Sequence, residues 1–164
     1  MDEVKLRRYR NLLTISGTGV IAFGVWSVIK TILFMTLTPD YLRLNDIGDI
    51  GDIGEAGMTV VKIFAFTVLG VIMAIELLLR LYIGLSARAE GNGKKKRIVY
   101  VVVAASLLLL SLWSIITSLH VSEYGSLLDM AVSLLLELTS AAAFFETIYA
   151  SCMVRRLQKK AKEG

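Results

Sequence analysis

The chain has 164 residues, of which 55% are hydrophobic, with a mean hydropathy of +0.67 and a formal net charge of +4 at pH 7. Its apolar runs are nearly continuous and of helical length, which excludes an ordinary soluble domain and the short alternating strands of a membrane barrel. The single cysteine, Cys152, excludes an intrachain disulfide and a cysteine-pair redox enzyme.

Four apolar stretches follow one another along the chain, and each is long enough for an α-helix that crosses a bilayer, which needs about 20 residues. We therefore predict an all-α integral membrane protein, folded over residues 1–164 as one transmembrane domain, a four-helix bundle. The predicted helices are 12–38, 58–85, 98–119 and 126–154, and a basic tail, 155–164, follows them.

The first stretch resembles a retained membrane anchor rather than a cleavable signal. Its apolar run of 27 residues exceeds the roughly 7–15 residues of a signal-peptide core. Pro39 comes directly after it, where proline ends a helix cleanly. We expect the N-terminal segment to stay attached.

The loop after the first stretch has a repeat of acid, isoleucine and glycine. Asp46, Asp49, Asp52 and Glu55 supply carboxylate oxygens, which hard divalent cations prefer, although the spacing is not that of an EF-hand loop. The alternative is a solvated loop whose isoleucines rest on the membrane surface. Cation binding therefore stays open.

Basic residues mark alternate ends of the stretches. The N-terminal segment has four Lys or Arg, the loop after the second stretch five and the tail five, whereas the other two loops together have only Arg43. This asymmetry predicts a multi-pass cell-membrane protein with both termini in the cytoplasm. A turn at Gly91-Asn92-Gly93 and a short loop at 120–125 favour an up-down-up-down order. Topology also accounts for the positive charge, so we predict no nucleic-acid partner.

Seven ionisable residues lie inside the apolar stretches or at their ends, where a charge costs at least about 2.5–3.5 kcal/mol at the bilayer centre. At a helical rise of about 1.5 Å per residue, every cation has an acid at its own depth. The predicted pairings are Lys62 with Asp129 at the outer interface, Lys30 with Glu137 in the outer half, and Arg80 with Glu76 and Glu146 in the inner half.

Three cations facing four acids leave one carboxylate over. A surplus carboxylate in a low-dielectric bundle is expected to exchange a proton or bind a cation. The alternative is structural: the pairs lock helix register, and the remaining glutamate is neutral and bonded to a serine or threonine. Ser111, Ser114 and Ser118 lie on one face of the third helix. Such small residues let a neighbouring helix pack closely. The alternative is that they form a polar lining that faces a cavity between the helices.

No motif with a known chemistry occurs, so three classes of function remain. The first is an accessory or regulatory membrane component that packs against partner helices. The second is a small oligomeric ion- or proton-coupled transporter or channel that uses Lys30, Glu76, Glu137 and Glu146. The third, less favoured, is a membrane enzyme acting on a lipophilic substrate. We predict no cofactor, and as partners the bilayer with a second copy or another membrane protein.

Overall fold

The computed structural model describes residues 2–37, 55–94, 97–120 and 127–163. Within these residues the chain is helical and has no strand, which confirms the all-α prediction. The four helices are α1 (Asp2–Leu37), α2 (Glu55–Gly91), α3 (Val99–His120) and α4 (Leu127–Glu163).

Three of the four helices extend beyond the apolar stretches that predicted them. α1 begins at Asp2 and α4 continues through the basic segment to Glu163, while α2 runs on to Gly91. Lys, Arg and Glu are good helix formers, so the end of an apolar run does not end a helix. The predicted boundaries mark the apolar part of each helix, and the predicted basic tail is helical through Glu163.

Among the described residues, three helical segments are long and apolar enough to cross a membrane: Glu3–Leu33, Thr59–Gly91 and Val99–Thr117. The fourth predicted span, 126–154, begins outside the described residues and stays a prediction. The up-down order and the side on which the termini lie also stay predictions.

The turn expected after α2 is present, and its backbone closes the helix. The N–H of Gly93 donates to the carbonyl of Glu90 at 2.9 Å, and that of Lys94 donates to Ala89 at 3.0 Å. These two bonds form a Schellman motif, which needs a left-handed residue directly after the cap. Gly93 supplies it with a φ of 86°.

The chain divides into two compact units, which we call the larger unit (Met1–Phe23 with Leu79–Gly164) and the smaller unit (Gly24–Leu78). The larger unit contains the buried core, to which all four helices contribute. Its largest fully buried apolar side chains are Leu13 and Val20 of α1, Ile83 of α2, Tyr100 of α3, and Phe144 and Val154 of α4.

Within the larger unit, α1 and α2 approach closely at three glycines, Gly17, Gly84 and Gly91, which we call the glycine contact. A Cβ added to Gly17 would lie 2.9 Å from the Cβ of Ala87 and 2.9 Å from the carbonyl oxygen of Gly84. A Cβ added to Gly91 would overlap the hydroxyl of Thr14. Glycines one heptad apart thus allow the two backbones to come together, as small residues do between membrane helices.

The smaller unit contains the second half of α1 and the first half of α2. Two of its described hydroxyls bond within their own helices: Thr31 donates to the carbonyl of Ser27 at 3.0 Å, and Thr67 donates to that of Ile63 at 2.8 Å. Such back-bonding satisfies a hydroxyl on an apolar helix surface without a second helix. Gly70 differs from the glycine contact, because an added Cβ there would meet no atom within 4 Å.

Candidate functional site

The larger unit buries a carboxylate, Glu90, at the end of α2. Glu90 continues the buried stripe of Ile83 and Ala87 at helical spacing, so the fold of α2 directs it inward. Tyr100 comes from the first turn of α3, and Ser151 and Arg155 from successive turns of α4. We call these four residues, Glu90, Tyr100, Ser151 and Arg155, the Glu90 cluster.

In the Glu90 cluster, the carboxylate is surrounded by donors. Arg155 donates from Nε to Oε1 at 2.9 Å and from Nη2 to Oε2 at 3.0 Å, a bidentate ion pair. The Tyr100 hydroxyl donates to Oε2 and lies 2.9 Å from the Ser151 hydroxyl. The Ser151 Oγ is itself 3.5 Å from Oε2. The Arg155 guanidinium carbon also lies 5.9 Å from the centre of the Tyr100 ring.

These contacts use most of what a carboxylate can accept, which is about four hydrogen bonds. The side chain of Glu90 is only 6% exposed, against 29% for Arg155. The hydrogen bond to Glu90 raises the pKa of the Arg155 guanidinium, which therefore stays charged. The cluster thus joins α2, α3 and α4 through a satisfied ion pair, and its chemistry is that of a structural lock.

The sequence analysis does not predict the Glu90 cluster, because the second apolar stretch ends at residue 85. Glu90 therefore belongs to the predicted loop, and Arg155 serves only as an indicator of topology. A usable signal was present: Ile83, Ala87 and Glu90 share one helix face, as do Ser151 and Arg155. Extending the second helix from residue 85 to Glu90 and the fourth from residue 154 to Arg155 would place the two charges on these buried faces.

A second carboxylate of the larger unit, Glu137, differs from Glu90 in its hydrogen bonding. Its Oε1 accepts a hydrogen bond from the Ser114 hydroxyl at 3.0 Å, between α3 and α4. Its Oε2 is buried and has no hydrogen-bond partner among the described residues. The sequence analysis considers both Ser114 and Glu137 but does not predict the hydrogen bond between them. Glu137 therefore has a buried oxygen without a described donor, whereas both oxygens of Glu90 accept hydrogen bonds.

Arg80 lies against α4 in the larger unit. Its Nη1 donates to the Ser140 hydroxyl at 2.8 Å, and its guanidinium carbon is 5.4 Å from the centre of the Phe144 ring. Glu146, a predicted partner of Arg80, lies on α4 with Ser140 and Phe144, and its side chain is exposed. The ionic pairing of Arg80 with Glu146 stays a prediction.

The remaining predicted ionic residues lie in the smaller unit or outside the described side chains. Lys30 and Glu76 belong to the smaller unit, and their pairings with Glu137 and Arg80 stay predictions. The side chains of Lys62 and Asp129 are outside those that the structure describes, so the outer-interface pair is untested.

The predicted cation-binding loop is also outside the described part of the chain. Asp46, Asp49 and Asp52 precede α2, and the side chain of Glu55, its first residue, is likewise outside. Across the described ranges, no group of three or more His, Cys, Asp or Glu residues is placed to hold a metal ion. No protein-family model, no curated protein and no solved structure matches this chain.

Proposed function

We propose that this chain is a small integral membrane protein that acts as an accessory or regulatory component by packing against the transmembrane helices of a partner. In this proposal it spans the bilayer four times in up-down-up-down order, with both termini cytoplasmic. The apolar segments of α1, α2 and α3 support the membrane location, and the distribution of basic residues supports the orientation.

The observation that carries the proposal is the open glycine of α2. Glycine in a helix interior costs about 1 kcal/mol relative to alanine, and in membrane helices the usual compensation is a close helix contact. The glycine contact follows this pattern within the chain, whereas Gly70 meets no atom within 4 Å of an added Cβ. Thr67 and Ala74, at helical spacing from Gly70, are also small and exposed. This face suits the backbone of another helix.

The satisfied state of the Glu90 cluster supports the same proposal. Its carboxylate is occupied by protein donors and its ion pair joins three helices. Several hydroxyls elsewhere also bond to carbonyls of their own helices, including those of Thr139 and Thr147. These polar groups of the larger unit therefore serve the fold rather than a substrate.

Gly70→Leu is expected to abolish partner association in native membranes, because a leucine side chain would hold the partner helix away from α2. The matched control is Val68→Leu, which changes an exposed position on the other side of α2. The measurement is co-purification of the full chain in lipid nanodiscs, followed by mass spectrometry of the proteins retained by wild type and each variant.

A partner that is retained by wild type and Val68→Leu but lost from Gly70→Leu would support the proposal. A second copy of the chain would count as such a partner. Equal retention by both variants, or no stoichiometric protein in any sample, would contradict it.

A second candidate function is proton-coupled transport, and Glu137 is the observation that favours it. An ionised carboxylate with one buried oxygen unpartnered is costly, so protonation or a bound cation relieves it. Ser114 orients the other oxygen at 3.0 Å. A carboxyl group held in this way can exchange a proton without disturbing the ion pair of Glu90.

For this second candidate, we expect proton flux into proteoliposomes that contain the full chain. Glu137→Gln should abolish this flux because it removes the carboxyl group that exchanges the proton, whereas Glu146→Gln, a change at an exposed glutamate of the same helix, should leave it. Flux that survives Glu137→Gln would rule out Glu137 as the exchanging group.

A further inference from the structure

A second arginine of the larger unit, Arg10, is bound differently from Arg155. Arg10 lies in α1 two residues before the apolar stretch begins. Its Nε is buried and has no hydrogen-bond partner among the described residues. Its backbone carbonyl accepts from the Thr14 hydroxyl at 3.1 Å, which holds this turn of α1 in place. The guanidinium is therefore partly desolvated, and no described carboxylate accepts from that nitrogen.

The Arg10 guanidinium lies beside the turn that ends α2. A Cβ added to Gly93 would be 3.8 Å from its Nη1 and 3.9 Å from its Nη2. The backbone N–H groups of Asn92, Gly93 and Lys94 are already used in closing the helix. These three residues are exposed, so the turn leaves the arginine's terminal nitrogens next to an open surface.

The partly buried Arg10 guanidinium favours the binding of an anion. Burying part of a cation without a counter-charge is unfavourable, and the gain from an added anion is correspondingly large. Glu90, the nearest acid along α2, already accepts two hydrogen bonds from Arg155. A guanidinium fork matches the paired oxygens of a phosphate. Arg10 precedes the first apolar stretch, 12–38, by two residues, and Gly93 follows the end of the membrane-length segment Thr59–Gly91 by two residues. Both therefore lie near the level where headgroups lie in a bilayer.

We infer that Arg10, beside the Gly93 turn, binds the phosphate of an anionic phospholipid headgroup. The site adds a lipid ligand to the accessory protein proposed above. It depends on the membrane location but not on a partner helix, so Gly70→Leu, which tests the partner, leaves it unchanged. Free phosphate has the same binding chemistry, and the experiment separates the two sources.

The test uses the full chain in detergent, titrated separately with dioctanoyl phosphatidylglycerol, dioctanoyl phosphatidylcholine and inorganic phosphate, with binding followed by native mass spectrometry. Wild type should bind phosphatidylglycerol in preference to phosphatidylcholine. Arg10→Gln should weaken that binding roughly tenfold, the effect expected for one lost charge-assisted contact. Arg10→Lys, which keeps the charge but not the fork, should fall between them.

The matched control is Arg8→Gln, which removes the same charge from an exposed position on the same helix. It should bind phosphatidylglycerol like wild type. Arg10-dependent binding of inorganic phosphate alone would support the site and assign it to a free phosphate. Equal losses in Arg8→Gln and Arg10→Gln, or no loss in either Arg10 variant, would overturn the inference.

Discussion

Arg155→Met is expected to lower the free energy of unfolding by about 3 kcal/mol, the low end of the range for a broken buried ion pair, because Arg155 is partly exposed. Removing the guanidinium takes two hydrogen bonds from a Glu90 carboxylate that stays buried. The hydroxyls of Tyr100 and Ser151 remain but bring no positive charge. The penalty is mainly that of an uncompensated buried anion.

Equilibrium unfolding in mixed micelles of dodecyl maltoside and sodium dodecyl sulfate measures this loss. Arg156→Met is the control, since the neighbouring arginine is exposed and its replacement should change the free energy of unfolding by less than about 0.5 kcal/mol. The double variant Glu90→Gln with Arg155→Met should lose less than the sum of the single changes, because the buried charge is gone. Equal effects of Arg155→Met and Arg156→Met would mean that the ion pair contributes nothing to stability.

The helical class could be predicted because continuous apolar runs of membrane-spanning length are visible directly in the order of the residues. The lateral contacts could not, as Arg80 illustrates. A fixed rise per residue gives the height of a side chain along its helix but not the rotation of that helix about its axis. Height predicts that Arg80 lies near Glu146 of α4, a pairing that stays a prediction, but it does not indicate the contacts of the guanidinium with Ser140 and Phe144. Rotation is decided by packing between helices, which the sequence does not display directly.

Glu90 and Glu137 show a different limit. Glu90 lies among basic and polar residues, whereas Glu137 lies in a run of leucines. Neither local sequence shows which carboxylate is satisfied and which has an open acceptor position. The difference lies in partners distant along the chain: Arg155 reaches Glu90, whereas Ser114 alone donates to Glu137 among the described residues. Sequence reasoning predicted that one carboxylate would be left over, but only geometry identifies a candidate.

Gly84→Ala is the second change with a large expected effect, a loss of about 1–3 kcal/mol in the free energy of unfolding. The added Cβ would lie 2.5 Å from the carbonyl oxygen of Gly17 and would overlap the side chain of Ile21. Ile21 can change rotamer, but the backbone oxygen cannot move without shifting α1. The loss appears although alanine is the better helix former.

Gly70→Ala is the matched control, since it makes the same substitution in the same helix with open space around the new methyl group. Helix propensity then acts alone and should raise the free energy of unfolding by up to about 1 kcal/mol. The two variants, compared by the same micelle titration, should therefore differ in sign. If Gly84→Ala were as stable as Gly70→Ala, α1 and α2 would not be in close contact at Gly84. A destabilising Gly70→Ala would mean instead that a second copy already packs on α2 in the micelle, and the size of the loss would measure that contact.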